Sequence, residues 1–293
     1  MTRAGRFAPS PSGELHVGNL RTAVLAWLFA RSTGRRFLLR VEDLDRARAG
    51  AETQQLRDLA EIGVTWDGPV VHQTDRGRLY QEAIRRLEAA GLTYECFCTR
   101  REIQEAPSAP HAPQGAYPGT CRDLSTAEIQ AKRTWRPAAI RLRSAVNHWT
   151  VEDTLHGSFT GVVDDFVLRR NDGVTAYNLA VVVDDAEQGI DQVVRGDDLL
   201  PSTPRQAYLA SLLAIPSVEY AHVPLVVNSD GARLAKRDGA VTLRDLAAVG
   251  ISAREARRRI LVSLGLPGDS PEAALSAFNP ASLPREPWVW PGV

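Results

Sequence analysis

The sequence lacks long hydrophobic runs. None of the apolar stretches in its 293 residues approaches the ~20 residues that a membrane-spanning helix needs. The N-terminus also lacks the apolar region of a signal peptide. We therefore expect a cytoplasmic protein with no membrane segment.

The chain also lacks net charge and is poor in cysteine. Its 35 basic and 35 acidic residues balance, which excludes a basic field over the whole protein but allows a local basic face for nucleic acid. The three cysteines indicate a metal site or reduced thiols rather than disulfides in the cytoplasm. Length and a hydrophobic content of 44% favour two globular domains, or one domain with a large insertion.

The N-terminal pattern predicts a strand, a turn and a helix. Arg3 to Phe7 is a short predicted strand, and Val17 to Thr33 predicts a well-buried helix because apolar residues cover most of its surface. The turn between them contains Pro, Gly and His16, so a helix N-terminus can approach a phosphate group. A second predicted strand, Arg36 to Val41, ends at Glu42, at the edge where parallel sheets bind ligands.

The rest of the chain predicts the other half of the same fold and an insertion. Residues 95–175 combine a Pro-, Gly- and Ala-rich stretch with short β-like segments, and we interpret them as the insertion. Tyr220 to Val227 is a further predicted strand. The runs Tyr177–Asp185 and Val193–Asp198 are interpreted as strands. The pairs Asp184-Asp185 and Asp197-Asp198 crowd their ends, where they either support a site or cap a helix or turn.

The expected fold class is therefore α/β, with a Rossmann-like parallel sheet and helices on both faces. We divide the chain into residues 1–94, the insertion at 95–175, residues 176–245 and a short helical C-terminal segment at 246–293.

Four stretches match one family in order: Ala8–Gly13, His16–Asn19, Arg40–Asp45 and Arg233–Arg237. They resemble class I glutamyl-tRNA synthetases, whose HIGH signature corresponds to the second stretch and whose KMSKS signature corresponds to the fourth. The match runs from about residue 3 to about residue 245. The stretches depart from the family pattern where Asn19 replaces the second His, Arg233 replaces the first Lys and Ala235 replaces the usual Ser.

Residues 238–293 are too few for the anticodon-reading domain of such synthetases. With the cysteine cluster, this makes the chain similar to the glutamyl-queuosine tRNA(Asp) synthetase branch. The resemblance implies a ligase, expected to be a monomer, that activates glutamate with ATP without tRNA. It then transfers the glutamate to queuosine in the anticodon loop of tRNA(Asp). A truncated conventional synthetase that charges a tRNA 3′ end, a small-molecule nucleotidyltransferase and an inactive tRNA-binding module remain alternatives.

The resemblance also implies the nucleotide site. The implied ATP-binding residues are His16, Gly18, Asn19, Arg233 and Lys236, of which His16, Asn19 and Lys236 would be catalytic. Charge grows on the phosphate oxygens as pyrophosphate leaves, so the site needs donors and cations placed in advance. Mg²⁺ is expected to arrive with ATP.

For glutamate, the resemblance implies a pocket of Arg6, Ser10, Glu42, Tyr177 and Arg195. Each arginine falls at the carboxyl end of a predicted strand and can bind a carboxylate bidentately. Glu42 suits the ammonium group of glutamate. Which arginine binds which carboxylate stays open.

The cysteines suggest one structural zinc ion. Cys96, Cys98 and Cys121 supply three thiolates, and a four-coordinate site needs one more ligand. The resembled branch places a tyrosine at Tyr117, whereas His111 is the more generic choice. Both remain candidates for the fourth ligand.

Overall fold

Twelve strands and ten α-helices form within the described part of the computed structural model, which covers residues 3–45, 47–105, 117–234 and 241–292. The strands are β1 (Ala4–Phe7), β2 (Arg36–Val41), β3 (Val71–His72), β4 (Thr93–Cys96), β5 (Ala139–Leu142), β6 (His148–Asp153), β7 (Gly157–Val162), β8 (Val167–Arg169), β9 (Ile190–Gly196), β10 (Glu219–Val223), β11 (Val226–Val227) and β12 (Trp288–Val289). The helices are α1 (Val17–Ser32), α2 (Ala51–Glu61), α3 (Gly77–Ala89), α4 (Arg100–Glu105), α5 (Thr126–Arg133), α6 (Tyr177–Glu187), α7 (Thr203–Leu212), α8 (Leu243–Ala248), α9 (Ala253–Ser263) and α10 (Pro271–Leu275).

The central sheet has seven strands in the order β3-β2-β1-β9-β10-β6-β7. Its first six strands are parallel, and β7 runs antiparallel to β6. Parallel strands bring their carboxyl ends to one edge, so β1, β2, β9 and β10 end side by side there. The predicted α/β class with a mostly parallel sheet is confirmed.

Helices cover both faces of this sheet. On one face, Val24 and Leu28 of α1 share a buried cluster with Phe37 of β2 and Ile260 of α9. Because side chains alternate along a strand, the neighbouring positions face the other way, where α3, α6 and α7 form a second buried cluster. The predicted burial of α1 is confirmed, since its side chains from Ala23 to Ala30 are all buried.

A smaller antiparallel sheet lies almost wholly within the predicted insertion, which its first strand enters from Thr93. It has the order β4-β5-β8, and the buried residues Cys96, Phe97, Tyr117 and Cys121 cluster beside it. The β6-β7 hairpin belongs to the same stretch of chain but pairs with β10, at the edge of the central sheet. The insertion therefore contributes strands to both sheets.

Two predicted strands were wrong in detail. Residues 177–185 form helix α6 rather than a strand, and every residue from Leu179 to Asp185 is buried. A short run that is buried on all sides gives no periodicity that separates a helix from a strand. The predicted strand Tyr220 to Val227 is interrupted between β10 and β11, where Pro224 has no N–H to donate.

Candidate functional site

A cavity of about 610 Å³ lies at the carboxyl edge of the parallel strands. We call it the strand-end cavity. Every described residue of the predicted glutamate and ATP sites lines it: Arg6, Ser10, His16, Gly18, Asn19, Glu42, Tyr177, Arg195 and Arg233. Lys236 and Ala235 lie outside the described residues. The structure thus brings together residues that are up to 227 positions apart in the sequence, from Arg6 to Arg233.

His16 caps the N-terminus of α1. Its Nδ1 accepts hydrogen bonds from the backbone N–H of Gly18 at 3.1 Å and of Asn19 at 3.3 Å. In return, Oδ1 of Asn19 accepts a hydrogen bond from the backbone N–H of His16 at 3.3 Å, which completes a capping box. The departure from the family signature at Asn19 therefore has a structural use.

The cap fixes the protonation of His16. Because Nδ1 accepts two hydrogen bonds, the proton of the neutral ring is on Nε2. Burial, together with the charge of Arg233, lowers the pKa of His16 to about 4. At neutral pH the ring is an uncharged donor through Nε2.

The position of the His16 imidazole leaves no room for a side chain at Gly18. A Cβ at this position would lie 2.9 Å from Cε1 and 3.0 Å from Nδ1 of that ring, closer than real contacts allow. Nothing in the sequence alone indicates this constraint.

The turn before α1 is held in place by a residue that the sequence analysis missed. The side-chain amide of Gln55, in α2, donates to the carbonyl oxygens of Ser10 at 3.0 Å and Gly13 at 2.6 Å. Gln55 is 2% exposed. It thereby fixes the backbone on which Ser10 faces the strand-end cavity.

Arg6 and Glu42 belong to a buried network of charges. Nε of Arg6 donates to Oδ1 of Asp185 at 3.1 Å, and Nη1 of Arg40 donates to the same oxygen at 2.8 Å. Nη2 of Arg40 also donates to Oε1 of Glu42 at 3.2 Å.

Asp184, which precedes Asp185 in α6, accepts hydrogen bonds from the side chains of Gln73, Arg76 and Tyr80. Asp184 and Asp185 therefore support the site from α6 and do not end a strand.

The charges in this network set one another's ionisation. Burial opposes the ionisation of Asp185, but the charges of Arg6 and Arg40 outweigh it and hold the pKa of that carboxyl below its usual range. Burial raises the pKa of Glu42 above its ordinary value, although Arg40 and Arg6 oppose this shift. An ammonium group beside Glu42 would favour the ionised form.

Arg195 is held at the end of β9 by two buried side chains. Its Nε donates to Nε2 of His222 at 3.0 Å, and its Nη2 donates to Oγ1 of Thr203 at 2.9 Å. Nη1 is buried without a hydrogen-bond partner among the described residues. Tyr177, at the start of α6, lies in the same cavity and is 40% exposed.

Arg233 also lines the cavity, and its side chain is 60% exposed. It forms an ion pair with Asp198 at 2.7 Å, just after the end of β9. Asp198, a member of the predicted pair Asp197-Asp198, thus lines the cavity.

Comparison with known proteins decides the family. The model of the class I tRNA synthetase (E and Q) catalytic domain matches residues 4–279. A protein named glutamyl-Q tRNA(Asp) synthetase from Nocardia farcinica is 66% identical over 287 residues, which cover 98% of this chain and 92% of that protein. The chain belongs to the glutamyl-Q tRNA(Asp) synthetase family.

Other proteins agree with this family assignment. A glutamyl-Q tRNA(Asp) synthetase from Cutibacterium acnes is 54% identical over 90% of this chain and 76% of its own length. The crystal structure of a glutamate-tRNA synthetase from Elizabethkingia anophelis superposes with a TM-score of 0.81 at 27% identity. That match covers 99% of this chain and 68% of the other chain.

In this member of the glutamyl-Q tRNA(Asp) synthetase family, the three cysteines come together as predicted. The Sγ atoms of Cys96, Cys98 and Cys121 all lie within 4.8 Å of one another. The hydroxyl oxygen of Tyr117 lies 3.3 Å from Sγ of Cys96 and 3.7 Å from Sγ of Cys98. The guanidinium of Arg141 lies 3.6 Å above the Tyr117 ring and brings positive charge to the cluster. The three thiols could hold a metal ion. His111 lies outside the described residues.

Several residues of the family member's site were not predicted, namely Arg40, Gln55, Asp153, Thr203 and His222. His222 is fully buried behind Arg195. Arg40 was part of a quoted motif, so its position near the end of the second predicted strand was available as a signal. Among the described helices, none combines the length and hydrophobicity needed to cross a bilayer.

Proposed function

We propose that the chain activates glutamate with ATP in the absence of tRNA and then transfers it to queuosine in the anticodon loop of tRNA(Asp). The observation that carries this proposal is the match to proteins named glutamyl-Q tRNA(Asp) synthetase, at 66% identity over 92% of the length of one of them. The chemistry of the strand-end cavity supports the glutamate and nucleotide parts of the proposal.

Glutamate carries two carboxylates and one ammonium, and the cavity offers groups of matching charge. Arg6 and Arg195 would each bind a carboxylate, while Glu42 would bind the ammonium. The hydrogen bonds to His222 and Thr203 use Nε and Nη2 of the Arg195 guanidinium. Its Nη1 is therefore left to bind a carboxylate. Among the described residues Nη1 has no hydrogen-bond partner, and a buried donor without one is costly until a carboxylate binds. Ser10 and Tyr177 would add hydroxyl groups to the same pocket.

In the activation step, an oxygen of the glutamate α-carboxylate attacks the α-phosphorus of ATP. The bond from that phosphorus to the bridging oxygen of pyrophosphate breaks, and pyrophosphate leaves with Mg²⁺. His16 would donate through Nε2 to the phosphate oxygens without adding a full charge of its own. Asn19 would assist as a second donor, and Arg233 and Lys236 would neutralise the triphosphate.

In the transfer step, a hydroxyl of queuosine attacks the carbonyl carbon of glutamyl-adenylate. The bond from that carbon to the phosphate oxygen breaks, AMP leaves, and the hydroxyl proton is lost to solvent or base. The products are AMP and a glutamyl ester on the tRNA.

For the cysteine cluster, we propose one structural Zn²⁺ bound by Cys96, Cys98, Cys121 and Tyr117. In a tetrahedral site with Zn–S bonds of about 2.3 Å, neighbouring ligand atoms are roughly 3.8 Å apart. The distance between Sγ of Cys98 and Sγ of Cys121, 3.5 Å, agrees with this spacing, as do the two distances to the Tyr117 hydroxyl. The zinc would stabilise the small sheet and would take no part in catalysis.

The remaining parts of the proposal concern the setting of the enzyme. We propose that it acts in the cytoplasm as a monomer, on glutamate, ATP and tRNA(Asp) that carries queuosine.

The test has two stages. Exchange of labelled pyrophosphate into ATP should depend on glutamate and should proceed without tRNA, and aspartate or glutamine should not replace glutamate. Labelled glutamate should then appear on tRNA(Asp) that carries queuosine. Exchange that requires tRNA, or label that appears on tRNA(Glu), would contradict the proposal and favour a conventional synthetase.

A further inference from the structure

The guanidinium of Arg195 is held by hydrogen bonds to residues that do not line the strand-end cavity. In the parallel pairing of β9 with β10, His222 is the direct register partner of Arg195. Their side chains therefore lie on the same face of the sheet, and Nε of Arg195 donates to Nε2 of His222 at 3.0 Å. Neither His222 nor Thr203 is among the residues that line the cavity.

The tautomer of His222 follows from its neighbours. Nδ1 lies 2.6 Å from Oδ2 of Asp153, and a carboxylate can only accept a hydrogen bond. Nδ1 therefore carries the proton, which leaves Nε2 as the acceptor that Arg195 requires. Burial lowers the pKa of His222, although the hydrogen bond to Asp153 opposes this shift.

Asp153 is itself fixed. Its Oδ1 accepts from the backbone N–H groups of Leu155 at 2.9 Å and His156 at 3.0 Å. Its Oδ2 accepts from the backbone N–H as well as the ring of His222. The side chains of Asp153 and His222 are both 0% exposed.

Thr203 holds the second nitrogen of Arg195. Its Oγ1 accepts from Nη2 at 2.9 Å, and its hydroxyl can donate to Nε2 of His222 at 3.0 Å or to the carbonyl oxygen of Leu199 at 3.3 Å. The residue is fully buried at the start of α7. Two of the three guanidinium nitrogens are thus fixed by side chains from two different elements.

We infer that Asp153, His222 and Thr203 are positioning residues that orient the Arg195 guanidinium so that its Nη1 end meets a carboxylate of glutamate. This inference rests on the proposed function. A guanidinium that is fixed before the substrate arrives loses little side-chain entropy on binding, so the group raises the affinity for glutamate. None of the three residues lines the cavity, so we expect the group to act on glutamate through Arg195 and to leave ATP binding unchanged.

The test measures KM for glutamate, KM for ATP and kcat by pyrophosphate exchange in matched pairs of variants. Thr203→Val removes the hydroxyl and nearly keeps the shape, whereas Thr203→Ser keeps the hydroxyl. Loss of a hydrogen bond to a charged group predicts at least about a tenfold rise in KM for glutamate in Thr203→Val. KM for ATP should stay within about twofold, and Thr203→Ser should resemble the wild type.

The second pair separates the two ring nitrogens of His222. In His222→Asn the amide reaches the place of Nδ1 and can still pair with Asp153, but it does not reach Arg195. In His222→Gln the amide reaches the place of Nε2 and can still accept from Arg195. We expect His222→Asn to raise KM for glutamate more than His222→Gln does, although both lose the volume of the ring.

The outcomes separate this inference from the proposed function. Wild-type protein without glutamate-dependent exchange would overturn the proposed function. Normal wild-type exchange with an unchanged KM for glutamate in both Thr203→Val and His222→Asn would overturn the inference alone. Equal rises in KM for glutamate and ATP, or equal defects in His222→Asn and His222→Gln, would show that the group serves only to keep the fold. Thermal unfolding of each variant identifies any that fails to fold, and the other pair then decides.

Discussion

The imidazole of His16 accepts a hydrogen bond from the backbone N–H of Gly18 at 3.1 Å, so the ring caps α1 through one nitrogen and keeps the other as a donor. Substitution of His16 by asparagine or by alanine separates the cap from the donor. His16→Asn can keep the cap, because its amide oxygen occupies the place of Nδ1, whereas His16→Ala loses both the cap and the donor.

Both substitutions should slow glutamate activation by about 10²–10³, the usual effect of removing one donor to a transition state. Only His16→Ala should also lower the unfolding temperature, because loss of an N-cap costs about 1 kcal/mol. Single-turnover formation of glutamyl-adenylate and thermal unfolding measure the two effects. A loss of less than about threefold in rate would show that the donor role is wrong.

The protonation of His16 gives a second prediction. Because its pKa is lowered to about 4, the ring is uncharged near pH 7. The rate of activation should therefore show no change with pH that comes from His16 in that range. As pH falls towards 4, protonation of Nδ1 should break the cap and reduce the rate. Titration of the ring by NMR checks this directly. A pKa near the ordinary value of 6.5 would contradict it.

Gly18→Ala should displace the imidazole of His16, since the added Cβ would lie 2.9 Å from Cε1 of the ring. We expect a loss in kcat close to that of His16→Ala, because the same donor is moved. Gly13→Ala is the matched control: its Cβ would meet nothing within 4 Å, and the residue lines the same cavity. Pyrophosphate exchange measures both variants, and equal activities would refute the steric argument.

Asp185→Asn should be strongly destabilising. The substitution leaves Arg6 and Arg40 without their shared carboxylate, and an uncompensated buried charge costs about 3–5 kcal/mol. Glu88→Gln removes an exposed carboxylate from α3 and should change the stability little. Denaturant unfolding of both variants checks the difference. Similar unfolding free energies would show that the charge network contributes no stability.

Tyr117→Phe should lower the affinity for zinc, because it removes the oxygen that lies next to the thiols of Cys96 and Cys98. A change of one ligand or of its supporting contacts weakens metal sites by about 10–100-fold. Metal content after dialysis against a chelator provides the measurement, with His111→Ala for comparison. If His111→Ala loses the metal and Tyr117→Phe keeps it, histidine is the fourth ligand.

The first half of the fold was readable from the sequence because its signals are local. The strand, turn and helix from Arg3 to Thr33 follow one another without interruption, and a single apolar run marks each buried element. The cysteine cluster was predicted from residue type and spacing, and its three thiols do come together. The four-part division of the chain stays a proposal, since β6 and β7 of the insertion extend the central sheet.

The contacts that hold Arg195 could not be predicted from the sequence, because they form between residues that are far apart in the chain. His222 lies 27 residues after Arg195 and 69 residues after Asp153. Only the placement of β10 between β9 and β6 brings the three side chains into contact. Helix α6 was mistaken for a strand for a related reason, since burial on all sides erased its periodicity.

The central claim, that glutamate is transferred to queuosine, is tested most directly by locating the label on the tRNA. Purified tRNA(Asp), with and without queuosine, is incubated with the enzyme, ATP and labelled glutamate, and is then cut with a nuclease. The account predicts label only on the fragment that contains the anticodon loop, and only when queuosine is present. Label on the 3′-terminal fragment, or equal label on tRNA(Asp) without queuosine, would contradict it.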